Sequence, residues 1–340
     1  MKRLNLPGLA LLLAFAGTAA VADDDSGSAN ASALTPDHSI WIVEYENDIF
    51  TGADRYYTSG VRLSRIGAIK APPALLDRIA QRFPEFSDIE NIPWSLSISH
   101  NIYTPADITA PEFPPDDRPY AAWLNLRFST GLPRENGADR LHVGLGVVGP
   151  AALGETIQKN VHRWVDGEKP VGWERQLRNE PTLELGYDRL RRLMRTPLGD
   201  RLAFDSSAFG GIQLGNAYTH LSAGGFARIG TRLESDFGPP RITPAVSGSG
   251  YFEPEPGITS WYLYAGVEGR RVFRDLFIEG NTFGGVDGVS RKRHVGELFA
   301  GAVLTRGMFR LAYTHVWRTR EFVGQLEGQS YGALSLSVWW

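Results

Sequence analysis

In Trp94-Ser95-Leu96-Ser97-Ile98-Ser99 every second residue is large and apolar, and each residue between is serine. Side chains of a strand point alternately to its two faces, so this stretch is a strand with one apolar and one small, polar face. The pattern recurs along the chain. Leu124, Leu126 and Phe128 alternate with Asn125, Arg127 and Ser129, and Leu141, Val143, Leu145 and Val147 with His142, Gly144 and Gly146. Trp261, Leu263, Ala265 and Val267 alternate with Tyr262, Tyr264, Gly266 and Glu268, and Leu334, Leu336, Val338 and Trp340 with Ala333, Ser335 and Ser337. A soluble sandwich also alternates, with its apolar side inward. Here the other face is rich in Ser, Gly and Asn rather than Lys and Glu, and an aromatic ends the last amphipathic strand. The runs also suit tilted strands of about 9–11 residues, which cross a bilayer. Together these features point to a transmembrane antiparallel β-barrel, whose closure leaves no unpaired edge in lipid.

Composition agrees. The 340 residues include 9 Trp, 12 Tyr and 17 Phe against 38 Gly, a pairing that suits a large antiparallel β protein. With no cysteine, disulfides, thiolate metal sites and cysteine nucleophiles are excluded. A net charge of −3 leaves no basic surplus for nucleic acid. Residues 1–22 read as a secretory signal peptide. Lys2 and Arg3 precede an apolar run from Leu9 to Phe15 and the small-residue cleavage site Ala20-Val21-Ala22. Residues 23–38, opening on Asp23-Asp24-Asp25, read as a flexible leader, and 39–340 as the barrel.

Strands are expected near 40–48, 59–70, 93–103, 120–130, 140–148, 181–192, 201–213, 219–230, 260–281, 293–306, 308–318 and 331–340. The ninth is long enough to bend between Arg271 and Asp275 and is counted once, because bacterial single-chain barrels normally have an even number of strands. With both termini periplasmic, segments 49–58, 104–119, 149–180 and 282–292 face the exterior. Segment 149–180 does not alternate. Gly154 to Val165 reads as a helix of about three turns, on which Glu155, Gln158 and His162 share a face and after which Gly167 is the stop. Polar groups on one helix face in an exterior loop suggest a site rather than a pore.

Several ordered motifs then resemble one family. Glu46-Asn47-Asp48-Ile49-Phe50 and Asp54-Arg55-Tyr56-Tyr57-Thr58-Ser59-Gly60 look like the opening motif of the outer-membrane lipid A 3′-O-deacylase (LpxR) family. Asp117-Arg118-Pro119-Tyr120-Ala121-Ala122-Trp123 is similar to a second motif. Gly149-Pro150-Ala151, Gly154-Glu155, Gln158, His162 and Gly167 continue the likeness into Gly172-Trp173-Glu174-Arg175-Gln176-Leu177 and Asn179-Glu180. The resemblance implies a twelve-stranded barrel in the outer membrane of a Gram-negative bacterium, its active site facing outward. It implies removal of the 3′-acyloxyacyl group from lipid A of lipopolysaccharide, with calcium. Carried over by motif, Asn47, Thr58, Gln158 and His162 are the catalytic candidates, with His162 as general base, and Asp48 and Glu168 are the Ca²⁺ ligands. The family's basic residue in the loop after strand 3 has no evident match, since Arg118 is the only cation between Thr104 and Pro119; it is the candidate for substrate contact. A barrel of this kind also implies the outer-membrane assembly machinery as a partner, with no nucleic acid.

The chemistry is coherent from the residues alone. Ester hydrolysis needs an activated water and something to hold the developing oxyanion. A neutral imidazole can take the water's proton, and two carboxylates with backbone carbonyls and waters suit Ca²⁺, a hard cation. Blander readings exist: His162 as a surface histidine, Asp48 as a turn cap, Glu168 as solvated loop. Two motifs are decoys. Gly144 to Gly149 fits GxGxxG but lies in an exported antiparallel barrel, and Gly328-Gln329-Ser330-Tyr331-Gly332 fits GxSxG but precedes a strand. The rival functions are a phospholipase using His220 and Ser222, two apart on one strand face, and a porin or structural barrel.

Overall fold

The computed structural model describes residues 39–51, 55–67, 94–110, 116–134, 136–164, 166–236 and 252–340, with isolated positions 78, 82 and 238. The signal peptide and leader expected at 1–22 and 23–38 lie outside the described residues. Twelve strands close on themselves in chain order: β1 (Ser39–Asn47), β2 (Tyr56–Gly67), β3 (Trp94–Thr104), β4 (Ala121–Arg134), β5 (Gly137–Val148), β6 (Glu180–Leu198), β7 (Leu202–Gly215), β8 (Tyr218–Gly230), β9 (Glu255–Asp275), β10 (His294–Gly307), β11 (Phe309–Arg318) and β12 (Gln329–Trp339). Every pairing is antiparallel, and β1 zips to β12 from Ile40↔Trp339 to Asn47↔Gly332. Among the described residues, helix α1 (Gly154–Trp164) follows β5 and the single turn α2 (Leu276–Glu279) follows β9.

Parity distinguishes this barrel from a sandwich. On β1, Trp41, Val43 and Tyr45 are exposed while Ile42, Glu44 and Glu46 are buried. On β12, Leu334 and Leu336 are exposed while Ser335 and Ser337 are buried. The apolar set therefore faces outward, as lipid requires, and the polar set faces the interior.

That interior carries paired charges. Arg62 pairs with Glu44 at 2.6 Å, Arg127 with Glu184 at 3.2 Å and Arg318 with Glu297 at 2.7 Å. Arg228 pairs with Asp205 at 2.5 Å and, with Arg310, encloses Asp236. Buried charges persist only when partnered, and most of these pairs tie neighbouring strands together. Ahead of β9, Phe252 is buried with Ile40, Ile42 and Trp339, whose indole donates to the Phe252 carbonyl at 2.7 Å. At the opposite rim Tyr57, Tyr103, Trp123, Tyr218, Phe277 and Tyr331 form an aromatic layer, with Tyr103 stacked on Phe277 at 4.4 Å.

Three details refine the expected strands. The ninth is one continuous strand, with Phe273 as an extra residue between the pairs Thr219↔Arg274 and His220↔Val272. It ends at Asp275 rather than 281, because Asp275 accepts the Phe277 N–H at 3.0 Å and starts α2. The second strand begins at Tyr56 rather than 59, and Thr58 is an extra residue between Tyr57↔Tyr103 and Ser59↔Ile102. Such bulges bend a strand and redirect a side chain.

Candidate active site

The same parity places the site. Asn47 continues the outward series Trp41, Val43, Tyr45, so it belongs to the outer side of the wall. Its Oδ1 accepts the Ile49 N–H at 2.7 Å, turning the chain into a short 3-10 helix, Asp48–Thr51. Asp48 is buried, and its Oδ2 accepts the Arg55 N–H at 2.6 Å, pinning the far side of the same turn. Asn47 pairs with Ser59 of β2, Ser59 with Ile102 of β3, and Ile102 with Ala122 of β4. Neighbouring strands lie about 4.8 Å apart, so these positions span a patch only three strand spacings wide. Within it Thr58 Oγ1 lies 2.9 Å from Thr104 Oγ1, both side chains buried.

Ile102 and Ala122 ought to face lipid, yet they are 1% and 0% exposed. The loop after β5 covers them. Ile102, Tyr120, Ala122, Ala152 and Trp173 form a small core outside the barrel wall, separate from the one inside. His100, also on the outward series of β3, ties the loop down, its Nε2–H donating to the Ala152 carbonyl at 2.7 Å. Gly154 opens α1 against the wall at a distance only glycine allows. A Cβ there would sit 2.3 Å from Ala122 Cβ and 2.7 Å from the Trp173 ring.

The face of α1 turned to the wall carries Gly154, Gln158 and His162, one turn apart. Gln158 is 3% exposed, and its Oε1 accepts the Trp173 indole N–H at 2.8 Å. An indole can only donate, so the amide's orientation is decided and its NH₂ is left as a buried donor with no hydrogen-bond partner. His162 Nδ1 lies 2.6 Å from the Glu168 carbonyl. A carbonyl can only accept, so Nδ1 carries the proton and Nε2 is the basic nitrogen of the neutral ring. The helix ends as expected, but not on glycine in the left-handed region. Asp166 takes that conformation at φ 54°, and the Gly167 N–H closes onto the His162 carbonyl at 2.8 Å.

Asn47 thus lies on the outer side of the rim, with Asp48 in the adjoining turn and Thr58 at the start of β2, while Gln158 and His162 lie on the helix that packs outside the wall at Ala122. The Glu168 side chain is exposed, and only its carbonyl engages His162. Arg118 goes elsewhere. It is 1% exposed, donates to the Phe277 carbonyl at 3.1 Å and lies 4.7 Å over the Tyr103 ring, so it braces α2 across the barrel mouth. Asp117 beside it accepts the N–H groups of Ala106 and Arg118, both at 2.7 Å, and burial pushes its carboxyl above the ordinary range. Trp173 is the partner of a candidate residue that sequence reasoning passed over, although Gly172-Trp173-Glu174 stood among the motifs. The outward placement of Asn47 was legible too, in the parity of Trp41-Val43-Tyr45-Asn47. His220 and Ser222 lie on the inner face of β8, buried, with Ser222 Oγ 3.5 Å from the Gly211 carbonyl. That placement turns the pair away from the lipid a phospholipase would act on.

Comparison with known proteins bears on this architecture. A search of curated proteins finds no match. Among solved structures, LpxR from Salmonella typhimurium is similar in fold at a TM-score of 0.71, with 21% identity over 88% of this chain and 99% of that one. The β domain of the Bordetella autotransporter BrkA and the porin NanC reach TM-scores of only 0.41 and 0.34, at 11% and 7% identity, each covering 88% of this chain, and 97% and 98% of their own. The family model described as "Outer membrane protein LpxR" matches residues 9–340. On that match the chain belongs to the LpxR family, the outer-membrane lipid A deacylases.

Proposed function

We propose that the chain hydrolyses the ester that links the 3′-acyloxyacyl chain to lipid A, acting on lipopolysaccharide in the outer leaflet with its site facing the cell exterior. The observation that supports this reading is that α1, carrying Gln158 and His162, packs on the outer side of the barrel wall at Ala122, on the side open to lipid. In the reaction, Nε2 of His162 takes a proton from water as the water oxygen attacks the acyl carbon. The Glu168 carbonyl holds the ring by Nδ1–H and stabilises the imidazolium that forms. The Gln158 NH₂, fixed by Trp173, donates to the oxyanion; a preorganised donor of this kind is worth about 10²–10³ in rate. The imidazolium then returns its proton to the departing sugar oxygen as the C–O bond breaks.

Calcium fits by the chemistry of its donors. Asp48 supplies a carboxylate in the turn beyond Asn47, and the amide of Asn47 and the hydroxyl of Thr58 are hard oxygens on neighbouring strands. Among the described residues no group of three or more His, Cys, Asp or Glu gathers to hold a metal, so amide, hydroxyl, carbonyl and water oxygens would complete the shell. Glu168 would join it by turning its exposed side chain inward. When bound, Ca²⁺ would polarise the ester carbonyl. The deciding experiment is a mass spectrum of lipid A from cells with and without the protein. Loss of the 3′-acyloxyacyl mass is expected; unchanged lipid A, with the barrel present in the membrane, would overturn the assignment.

A further inference from the structure

α1 has a third face that neither the wall nor the chemistry uses. Leu153, Ile157, Val161 and Trp164 recur at intervals of four, four and three residues, and they are 59%, 39%, 45% and 88% exposed. At 100° per residue Ile157, Val161 and Trp164 form one stripe, roughly a quarter turn round the helix from Gly154, Gln158 and His162, and Leu153 precedes the helix as the residue whose carbonyl accepts the Ile157 N–H. Thr156, Lys159 and Arg163 occupy the opposite side, where Lys159 pairs with Glu155 and Arg163 donates to Asn160. The helix therefore has three sectors: one against the wall, one apolar, one polar.

Such a helix suits an interface. Because Gly154 packs on the outward side of Ala122, α1 stands outside the barrel, one outward position above Leu124, with Leu126, Leu145 and Leu183 exposed below it. Those side chains belong to the outer surface that faces lipid. We propose that Leu153, Ile157, Val161 and Trp164 insert among the acyl chains of the outer leaflet, so that α1 lies in the membrane interface. A Trp at the end of an amphipathic helix, with cations on its polar side, is the composition of an interfacial helix. The inserted stripe would deliver acyl chains sideways to Gln158 and His162. This second half rests on the deacylase reading; the insertion itself does not.

The natural absence of cysteine makes the test direct. Nitroxide labels at Ile157→Cys, Val161→Cys, Trp164→Cys, Thr156→Cys and Arg163→Cys are placed one at a time in the full barrel. The protein is reconstituted in vesicles of phosphatidylethanolamine and phosphatidylglycerol. Collision with dissolved oxygen is expected to exceed collision with a water-soluble nickel chelate at 157, 161 and 164, with the order reversed at 156 and 163. Nickel access at 161 and 164 equal to that at 156 and 163 would overturn the insertion. For delivery, Val161→Asp is expected to lower deacylation of lipid A in vesicles about tenfold while leaving the rate in detergent micelles unchanged. An equal loss in both would overturn the delivery role. If no deacylation occurs in any protein, the labels still decide the insertion, and the failure belongs to the proposed reaction.

Discussion

Trp173→Phe tests whether the orientation of Gln158 is functional. Phenylalanine keeps most of the buried ring, which lies 4.9 Å from that of Tyr120, but removes the N–H that Gln158 Oε1 accepts at 2.8 Å. A buried carbonyl that loses its partner costs about 1–3 kcal/mol. The amide then has no reason to keep its NH₂ where the oxyanion forms. A loss of that size in the transition state alone is about 5- to 150-fold in rate, at 1.36 kcal/mol per tenfold. The ceiling is about 10²–10³, the worth of one oxyanion donor. With purified protein and lipid A in micelles, release of the 3′-acyl product measured by mass spectrometry is expected to show kcat lowered within that range and KM little changed. The barrel should remain resistant to detergent until boiled. Because Trp173 acts through Gln158, the substitution should have almost no further effect in a Gln158→Ala background. An unaltered kcat, or the same factor lost in both backgrounds, would refute the reasoning.

His162→Ala should leave a heat-modifiable barrel about 10²–10⁴ slower in deacylation, and His162→Gln should fare no better, since an amide accepts no proton; Ser222→Ala should retain activity, and a near wild-type rate in His162→Ala would remove the base. If Asp48 contributes to a calcium site, a chelator should abolish deacylation and added Ca²⁺ restore it, and Asp48→Asn should raise the calcium needed for half-maximal rate; full activity in excess chelator would contradict the metal. Gly154→Ala, placing a methyl within 2.3 Å of Ala122, should push α1 from the wall and open segment 149–180 to protease while the barrel stays closed, whereas unchanged proteolysis would contradict the packing. Arg228→Met should leave Asp205 with only Arg192, at 3.5 Å, and Asp236 with Arg310, at a cost of up to about 3–5 kcal/mol, lowering the temperature at which the barrel unfolds in gel-shift assays.

The strands were readable because lipid and lumen lie on opposite sides of every one, so the solvent difference is written at period two. A one-residue slip would reverse every side chain, and so Leu334 and Leu336 outward, Ser335 and Ser337 inward, settle the register of β12 by themselves. The helix of segment 149–180 was also local, carried by spacing and by the turn at Asp166 and Gly167. Contacts between distant residues were not written that way. The fate of Arg118 depends on the Phe277 carbonyl, 159 positions away, so a cation that looked free in sequence proves to be a brace. Strand ends shifted for the same reason: Asp275 stops β9 by capping α2, and the extra residue at Thr58 appears only when β2 meets β3. The sequence by itself determined the barrel and the helix, and nominated the polar residues of the site. Only the tertiary structure decided that the loop lies outside the wall, with Gly154 on Ala122 and Trp173 locking Gln158, because side-chain packing between separate segments leaves no periodic trace in either one.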